Sequence, residues 1–468
     1  MRRTTTRRAA RWTALAVAGG LALTACAQGT GTGGGEADDT DFDPEAELEG
    51  SISIMGFGVG DDVAETRFQA AQEELGEVEI ELVEGDLDIQ QFLSAVASGN
   101  PPDLIYANRD QIGTFASRGA IVPLDSCIEG EGIDTDVFRE PALAQVTFND
   151  SVYGIPEFNQ VQVLMANQDL LDAAGVTVED LNGSDWAAVE SATDALVVGE
   201  GGGLQVIGFD SKLPEFLPLW SKINGADLLS EDGRTAQLDD PAVVEALEFA
   251  VGIYDRQGGF SAVKAYRDSA DFFGGGNQFA TGVLGAMPME QWYVNVLNDV
   301  SPDAPMAFDS MRTKDGDPVA YASGSAWAVP AGTDTADIAC RFARVMTQTE
   351  TWMAAAQNRA ETREAEGQLF TGLLTGNAEA DEQIRDEFIT GDAPEPWASA
   401  IEAVYESNDS TFSLPANPAD AEFKAAWQDA VNRVLNGQAE PQAALEEAQE
   451  EAQTALDEAW EEWDAEQD

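Results

Sequence analysis

Residues 151–176 read SVYGIPEFNQVQVLMANQDLLDAAGV. Asn149-Asp150, just before them, is a turn signal, and Val152-Tyr153-Gly154-Ile155 reads as a short strand ended by Pro156, which has no N–H for a ladder. Glu157-Phe158-Asn159-Gln160 is a polar patch with one aromatic ring, and Val161-Gln162-Val163-Leu164-Met165 is a second strand. Asn167 suits the N-cap of a short helix over residues 168–174, which Gly175 closes. Two strands parted by an exposed polar patch, with no hairpin dipeptide between them, suit a chain passing from one domain to another. An ordinary strand pair within one sheet is the alternative, and the flanking sequence decides.

Upstream, Ile52 and Ile54 alternate in a strand, followed by the loop Gly56-Phe57-Gly58-Val59-Gly60-Asp61-Asp62. A helix then carries Val63, Ala64, Phe68, Ala71 and Leu75 on one face. Val78, Ile80 and Leu82 mark a second strand; Ile89, Phe92, Leu93 and Val96 a second helix, stopped at Gly99-Asn100-Pro101-Pro102; and Leu104-Ile105-Tyr106 a third strand. This strand–helix alternation predicts a mostly parallel sheet wrapped by helices, with ligands beyond the carboxyl ends of the strands. The glycine loop is no dinucleotide fingerprint, because Asp61 stands where the third glycine belongs. Downstream, Trp186, Val189, Ala192 and Leu196 make a helix face, Val206 to Phe209 a strand, and Asp240-Pro241 opens another helix. The C-terminal part is helical: residues 423–435, then a stripe of Leu445, Ala448, Ala452, Leu456, Ala459 and Trp463 whose outer face is acidic. That last helix is expected to pack on a lobe, with a partner-binding role as the alternative.

The N-terminus carries Arg2, Arg3, Arg7, Arg8 and Arg11 without an acid, then an apolar run ending in Leu23-Thr24-Ala25-Cys26. This is a secretory leader over residues 1–25, too short in its apolar run to span a membrane. The paired arginines leave the general and twin-arginine export routes both open. Leu-Thr-Ala-Cys resembles a bacterial lipobox, which implies lipidation of Cys26. Residues 26–48 are rich in glycine and acids and are expected to form a flexible stalk. Asp39, Asp41 and Asp43 alternate as in a calcium loop, but Pro44 and Gly50 occupy its glycine and glutamate positions.

The 468-residue chain has a formal charge of −62, or −67 once the leader's five arginines are gone. Such a charge argues against nucleic acid and anionic lipid as partners. Histidine is absent, which removes His-based triads and His-ligated zinc; carboxylate pairs remain for glycosidase-type chemistry. No cofactor or metal is expected. The length predicts two lobes or domains. Beyond Cys26 there are only Cys127 and Cys340, and two thiols in an exported chain predict a disulfide.

The segment FLSAVASGNPPDLI (92–105), followed by GAIVPLD (119–125), resembles the extracellular solute-binding proteins of sugar ABC importers. So do the crossover at 152–176, WSKINGADLL (220–229), FATGVLGAM (279–287) and GSAWAVP (324–330), in consistent order over most of the chain. The resemblance implies an α/β, two-lobed periplasmic-binding-protein-like fold, each lobe a mostly parallel sheet flanked by helices and joined by crossover hinge strands. It assigns residues 49–156 and 322–378 to lobe 1, and 157–321 and 379–468 to lobe 2, the last with the C-terminal helices. It also brings Cys127 and Cys340 together in lobe 1. Pro156 to Asn159 and Pro288 to Trp292 match no particular sugar type.

A sugar offers apolar ring faces and a rim of hydroxyls, so aromatic rings, carboxylates and amides at strand ends and crossovers are the candidates. They are Phe57, Asp62 and Arg109 in lobe 1, Glu157, Phe158 and Asn159 at the hinge, and Trp220, Glu290 and Trp292 in lobe 2. Burial is the ordinary alternative for each ring, and helix capping for Asp62. The expected function is capture of a carbohydrate by a lipid-anchored protein that delivers it to an ABC importer's permease subunits, with lobe closure on the ligand. The alternatives are another solute (a polyol, a glycerophosphate or a peptide) or an exported hydrolase using Glu157 and Glu290.

Overall fold

The computed structural model of the protein describes residues 42–200, 203–389, 391 and 393–467. The leader, Cys26 and the stalk as far as residue 41 lie outside them.

Strands β1 (Ser51–Met55), β2 (Glu79–Val83) and β3 (Leu104–Asn108) form where the alternation predicts, β1 running parallel to both others. The helices between them, Asp62–Leu75 and Ile89–Ala97, are capped by Asp61 and Asp88. β4 (Thr147–Phe148) and β5 (Ser151–Val152) make a hairpin whose turn residues, Asn149 and Asp150, both take positive φ, 48° and 70°.

β6 (Ile155–Gln160) corrects the sequence reading: it runs through Pro156 and takes in the whole polar patch. Pro156 is tolerated because β6 is an edge strand. β7 (Gln162–Asn167) follows after Val161 alone, yet belongs to a second sheet, so the opening stretch does carry the chain between two lobes. Asn167 caps the helix Gln168–Ala174, and Gly175 ends it in the left-handed region.

The second lobe holds β8 (Val198–Glu200), β9 (Gly203–Phe209), β10 (Leu284–Glu290) and β11 (Met306–Ser310), in the order β11-β7-β10-β9-β8. The chain then returns through β12 (Ala320–Tyr321) to β13 (Ser323–Ala328), completing the first sheet as β2-β1-β3-β13-β6; β14 (Thr411–Phe412) pairs with β12. The sheets are mixed rather than mostly parallel. β13 is antiparallel to β3 and β6, and in the second sheet only β9 and β10 are parallel. The physical reason is that β6, β7 and β13 do not arrive through a strand–helix–strand crossover, the connection that imposes a parallel direction.

Two boundaries move. Phe42 is buried against lobe 1, Asp43 N–H donates to Asp337 Oδ1 at 2.8 Å, and Arg341 Nη2 donates to Pro44 O at 2.8 Å, so lobe 1 begins before residue 49. The helix Ala378–Phe388 packs with Thr349–Glu366 and joins the cluster of Val63, Trp352 and Ile384, whereas Trp397–Asp409 packs on β11 and β7. The helix Ala378–Phe388 thus packs with lobe 1, where the expectation placed it in lobe 2.

Cys127 and Cys340 are joined by a disulfide, with Cα atoms 5.9 Å apart, tying helix Asp125–Glu131 to helix Ala336–Thr347 in lobe 1. The C-terminal helix Pro441–Gln467 touches both lobes. Gln449 and Gln453 accept from the backbone N–H groups of Leu238 and Ala236 in lobe 2, and Trp460 and Trp463 pack on Phe148 of lobe 1.

Candidate functional site

A cavity of about 290 Å³ lies where the two lobes and the hinge meet. Lobe 1 contributes Asp61, Tyr106 and Ser325 to its wall, with Arg359 from the helix Thr349–Glu366. β6 contributes Phe158, Asn159 and Gln160, the segment that follows the helix Thr349–Glu366 contributes Thr371 to Leu374, and lobe 2 contributes Gln291, Trp292 and Asn295. Aromatic faces thus stand among amides and hydroxyls, the set a polyhydroxylated ring needs.

Strand alternation explains who faces it from the hinge. Along β6, Glu157 and Asn159 are buried while Phe158 and Gln160 are more open. The Phe158 ring meets Trp352 edge-on at 5.1 Å, which fixes its orientation. Trp292 opens the helix Trp292–Val300, and Asn295 lies three residues on, on the same face. Gln291 ties lobe 2 to the hinge: its Oε1 accepts from Val161 N–H at 2.9 Å and its Nε2 donates to Asn159 O at 3.1 Å.

Six of the nine sequence candidates do not line the cavity. Glu157 is fully buried, with one oxygen held by Arg67 and the other by the Tyr106 hydroxyl, a pairing internal to the protein. Burial and the Glu157 carboxylate together push the Tyr106 phenol well above its ordinary range. Phe57 is buried against Trp327, centroids 5.0 Å apart, and against Tyr106 at 5.6 Å. Trp220 is core: it has no exposed surface, packs between Phe209 and Phe249, and donates Nε1–H to Ser211 O at 2.8 Å. Asp62 is not the cap either; Asp61 fills that role, accepting from Ala64 N–H at 2.8 Å, and Asp62 is ion-paired to Arg359.

Arg109 is likewise spent on structure. From the turn after β3 it donates to Gln145 Oε1 (2.9 Å), Phe158 O (2.8 Å), Asn159 Oδ1 (2.7 Å) and Ser323 O (2.7 Å), so one fully buried guanidinium clamps β6 to β13. Burial lowers it to about 10. Asn159 passes the network on, donating to Asn408 Oδ1 at 2.7 Å, and Asn408 donates to Asp381 Oδ2 at 2.8 Å. Glu290 ends β10 outside the cavity wall; burial raises its carboxyl, with Lys212 opposing and Glu215 adding to the rise.

Phe158, Asn159 and Trp292 are the candidates that the fold brings together. Of the residues missed, Asn295 had a legible signal, an amide on the same helix face as Trp292. Arg359 had none, since it arrives from a helix 200 residues beyond the hinge strand. The only cation on the wall is that ion-paired arginine, which leaves a phosphate ester without a partner among the described lining residues. Glu157 and Glu290 do not face each other across the cavity, as a hydrolase would require.

A two-lobed α/β protein with a cavity at its hinge is the architecture of a solute receptor. Residues 66–362 match the family of bacterial extracellular solute-binding proteins, and the chain belongs to that family. It is 23% identical over 269 residues to the maltooligosaccharide ABC transporter solute-binding lipoprotein of Streptococcus pneumoniae (strain ATCC BAA-255 / R6), covering 54% of this chain and 57% of that protein. The match thus spans just over half the length of that relative. Among solved structures it is similar to CpMnBP1 with mannotriose bound (TM-score 0.67, 21% identity, 86% of this chain and 100% of that one). It is similar also to an ABC substrate-binding protein from Listeria monocytogenes in complex with cycloalternan (TM-score 0.67, 19% identity, 87% and 99%). At these identities the likeness defines the fold.

Proposed function

We propose that this protein captures a carbohydrate in the cavity between its lobes and delivers it, without turnover, to the permease of an ABC importer. Lipid on Cys26 holds it at the outer face of the cytoplasmic membrane. The observation that carries the reading is the cavity wall itself, with Phe158 and Trp292 among Asn159, Gln160, Gln291, Asn295 and Ser325. The relatives named above, a maltooligosaccharide lipoprotein and structures holding mannotriose and cycloalternan, support a carbohydrate as the solute. A ligand that contacts residues of both lobes favours the arrangement in which they approach, so binding draws them together.

The test is calorimetric titration of the mature protein with linear and cyclic sugars, with product analysis of the same mixtures. Saturable binding without new products is expected, and Trp292→Ala weakens it roughly 5- to 150-fold, the equivalent of ~1–3 kcal/mol. Released products, or binding of peptides with no sugar bound, would overturn the proposal. In the producing cell, Cys26→Ser moves the protein out of the membrane fraction or leaves its leader uncut; normal processing with retention at the membrane defeats the anchor.

A further inference from the structure

Among the described residues only three large apolar side chains are exposed, and Phe273 is the most exposed of them at 66%. An apolar ring left in water forgoes the gain of burial, and this one adjoins a ring of the cavity wall. The segment that carries it is anchored. The Phe272 ring stacks on Tyr293, centroids 4.2 Å apart at 11°, and the Phe272 carbonyl accepts from the Tyr293 hydroxyl at 2.8 Å. Asn277 Nδ2 donates to Gly274 O at 3.0 Å and to Ser301 Oγ at 2.9 Å. A Cβ at position 274 would lie 1.9 Å from Asp271 Oδ2, so a larger residue there would displace the Asp271 carboxylate. Phe273 is therefore held out to solvent by a turn fastened to lobe 2.

The Phe273 and Trp292 rings lie nearly parallel, 15° apart with centroids at 6.1 Å, and Trp292 is part of the cavity wall while Phe273 stands beyond it. Two nearly parallel rings, one in the cavity wall and one beyond it, carry an aromatic surface from the cavity towards the solvent. The C–H face of one pyranose covers one aromatic ring, and neighbouring pyranoses in an oligosaccharide follow each other at a comparable step. The exposed Asp271 on the same turn offers an acceptor for a hydroxyl at the outer end.

We propose that Phe273 is a specificity-determining residue, a stacking platform outside the cavity that selects an oligosaccharide of at least two pyranose rings over a monosaccharide. This rests on the carbohydrate reading above and deepens it. Because the ring is held in place before ligand arrives, its ordering is not charged against binding.

The test compares parent, Phe273→Ala and Phe273→Tyr by calorimetry against two homologous series, glucose to maltotetraose and mannose to mannotriose. In the parent, affinity rises with chain length. In Phe273→Ala the rise shrinks by about 2- to 12-fold, the range of a single aromatic stacking contact, and Phe273→Tyr restores it. The thermal midpoint of ligand-free Phe273→Ala equals the parent's, which a packing role would not allow. The proposal is overturned if the alanine variant gains affinity with length as the parent does, or loses the same factor at every length. It is overturned also if the change instead dissociates a dimer in sedimentation, which assigns the ring to a second copy. If the parent binds no sugar of either series or of the wider panel, the carbohydrate reading itself fails, a result distinct from the others.

Discussion

Arg109→Met separates a hinge clamp from a ligand contact. The guanidinium has no exposed surface and donates to four acceptors, Phe158 O and Asn159 Oδ1 on β6, Ser323 O on β13, and Gln145 Oε1. Desolvation lowers its pKa from the ordinary guanidinium range to about 10, a cost of the order of 3 kcal/mol for keeping it charged there. Hydrogen bonds to a charged group contribute about 1.5–3 kcal/mol each, so four of them exceed that cost. Methionine keeps much of the length and strands four acceptors, two of them fully buried. The expected loss is about 3–5 kcal/mol, a large share of the ~5–15 kcal/mol that holds a typical domain folded. The assay is urea unfolding of the ligand-free protein at pH 7, read by far-ultraviolet circular dichroism, with binding measured separately. A variant as stable as the parent but deficient in sugar binding would refute the clamp and return Arg109 to the cavity.

Trp220→Ala loses about 3–5 kcal/mol in the same ligand-free unfolding assay, because a fully buried ring leaves a cavity and an unpaired Ser211 carbonyl; an unchanged midpoint would contradict its place in the core. Replacing Cys127 and Cys340 together with serine opens a link across 213 residues, and chain entropy sets the loss at no more than about 5 kcal/mol; equal unfolding midpoints with and without reductant would show that the link contributes nothing. Asp103 joins β1 to the loop after β13, accepting from Ser53 N–H and Oγ at 2.8 Å each and from Thr333 Oγ1 at 2.6 Å. Burial raises its carboxyl, but the Thr333 and Ser53 hydrogen bonds outweigh that and lower it below the ordinary carboxylate range. Its stabilisation is therefore whole above pH ~4 and drains as pH falls through its own lower value. Asp103→Asn is expected to be about 1–3 kcal/mol less stable than the parent at pH 7, with the gap closing below pH 4; a gap independent of pH would refute the linkage.

Local chemistry was readable wherever one side chain and its own backbone settle the matter. Asn167 and Gly175 bound their helix as residue type demands, and the alternation at Ile52/Ile54 and Ile80/Leu82 marks strands because period 2 is a property of one strand. The passage between lobes at β6 and β7 was suggested by two extended runs with no turn chemistry between them, and the sheet order decided it against a strand pair within one sheet. Pro156 misled because a proline ends a central strand but not an edge strand, and edge position belongs to the sheet. Strand direction also escaped, since β13 enters its sheet from the other lobe.

The site needed the tertiary structure most. Arg109, Glu157 and Trp220 have side chains suited to a sugar, yet Arg67, Tyr106, the β6 and β13 carbonyls and a ring of aromatics reach them first. The partners of Arg109 and Glu157 come from positions far away in the chain, and whether a polar group faces a neighbour or a ligand depends on who else is within about 3 Å. Residue type sets what a side chain is able to bind, and three-dimensional proximity decides what it has already bound.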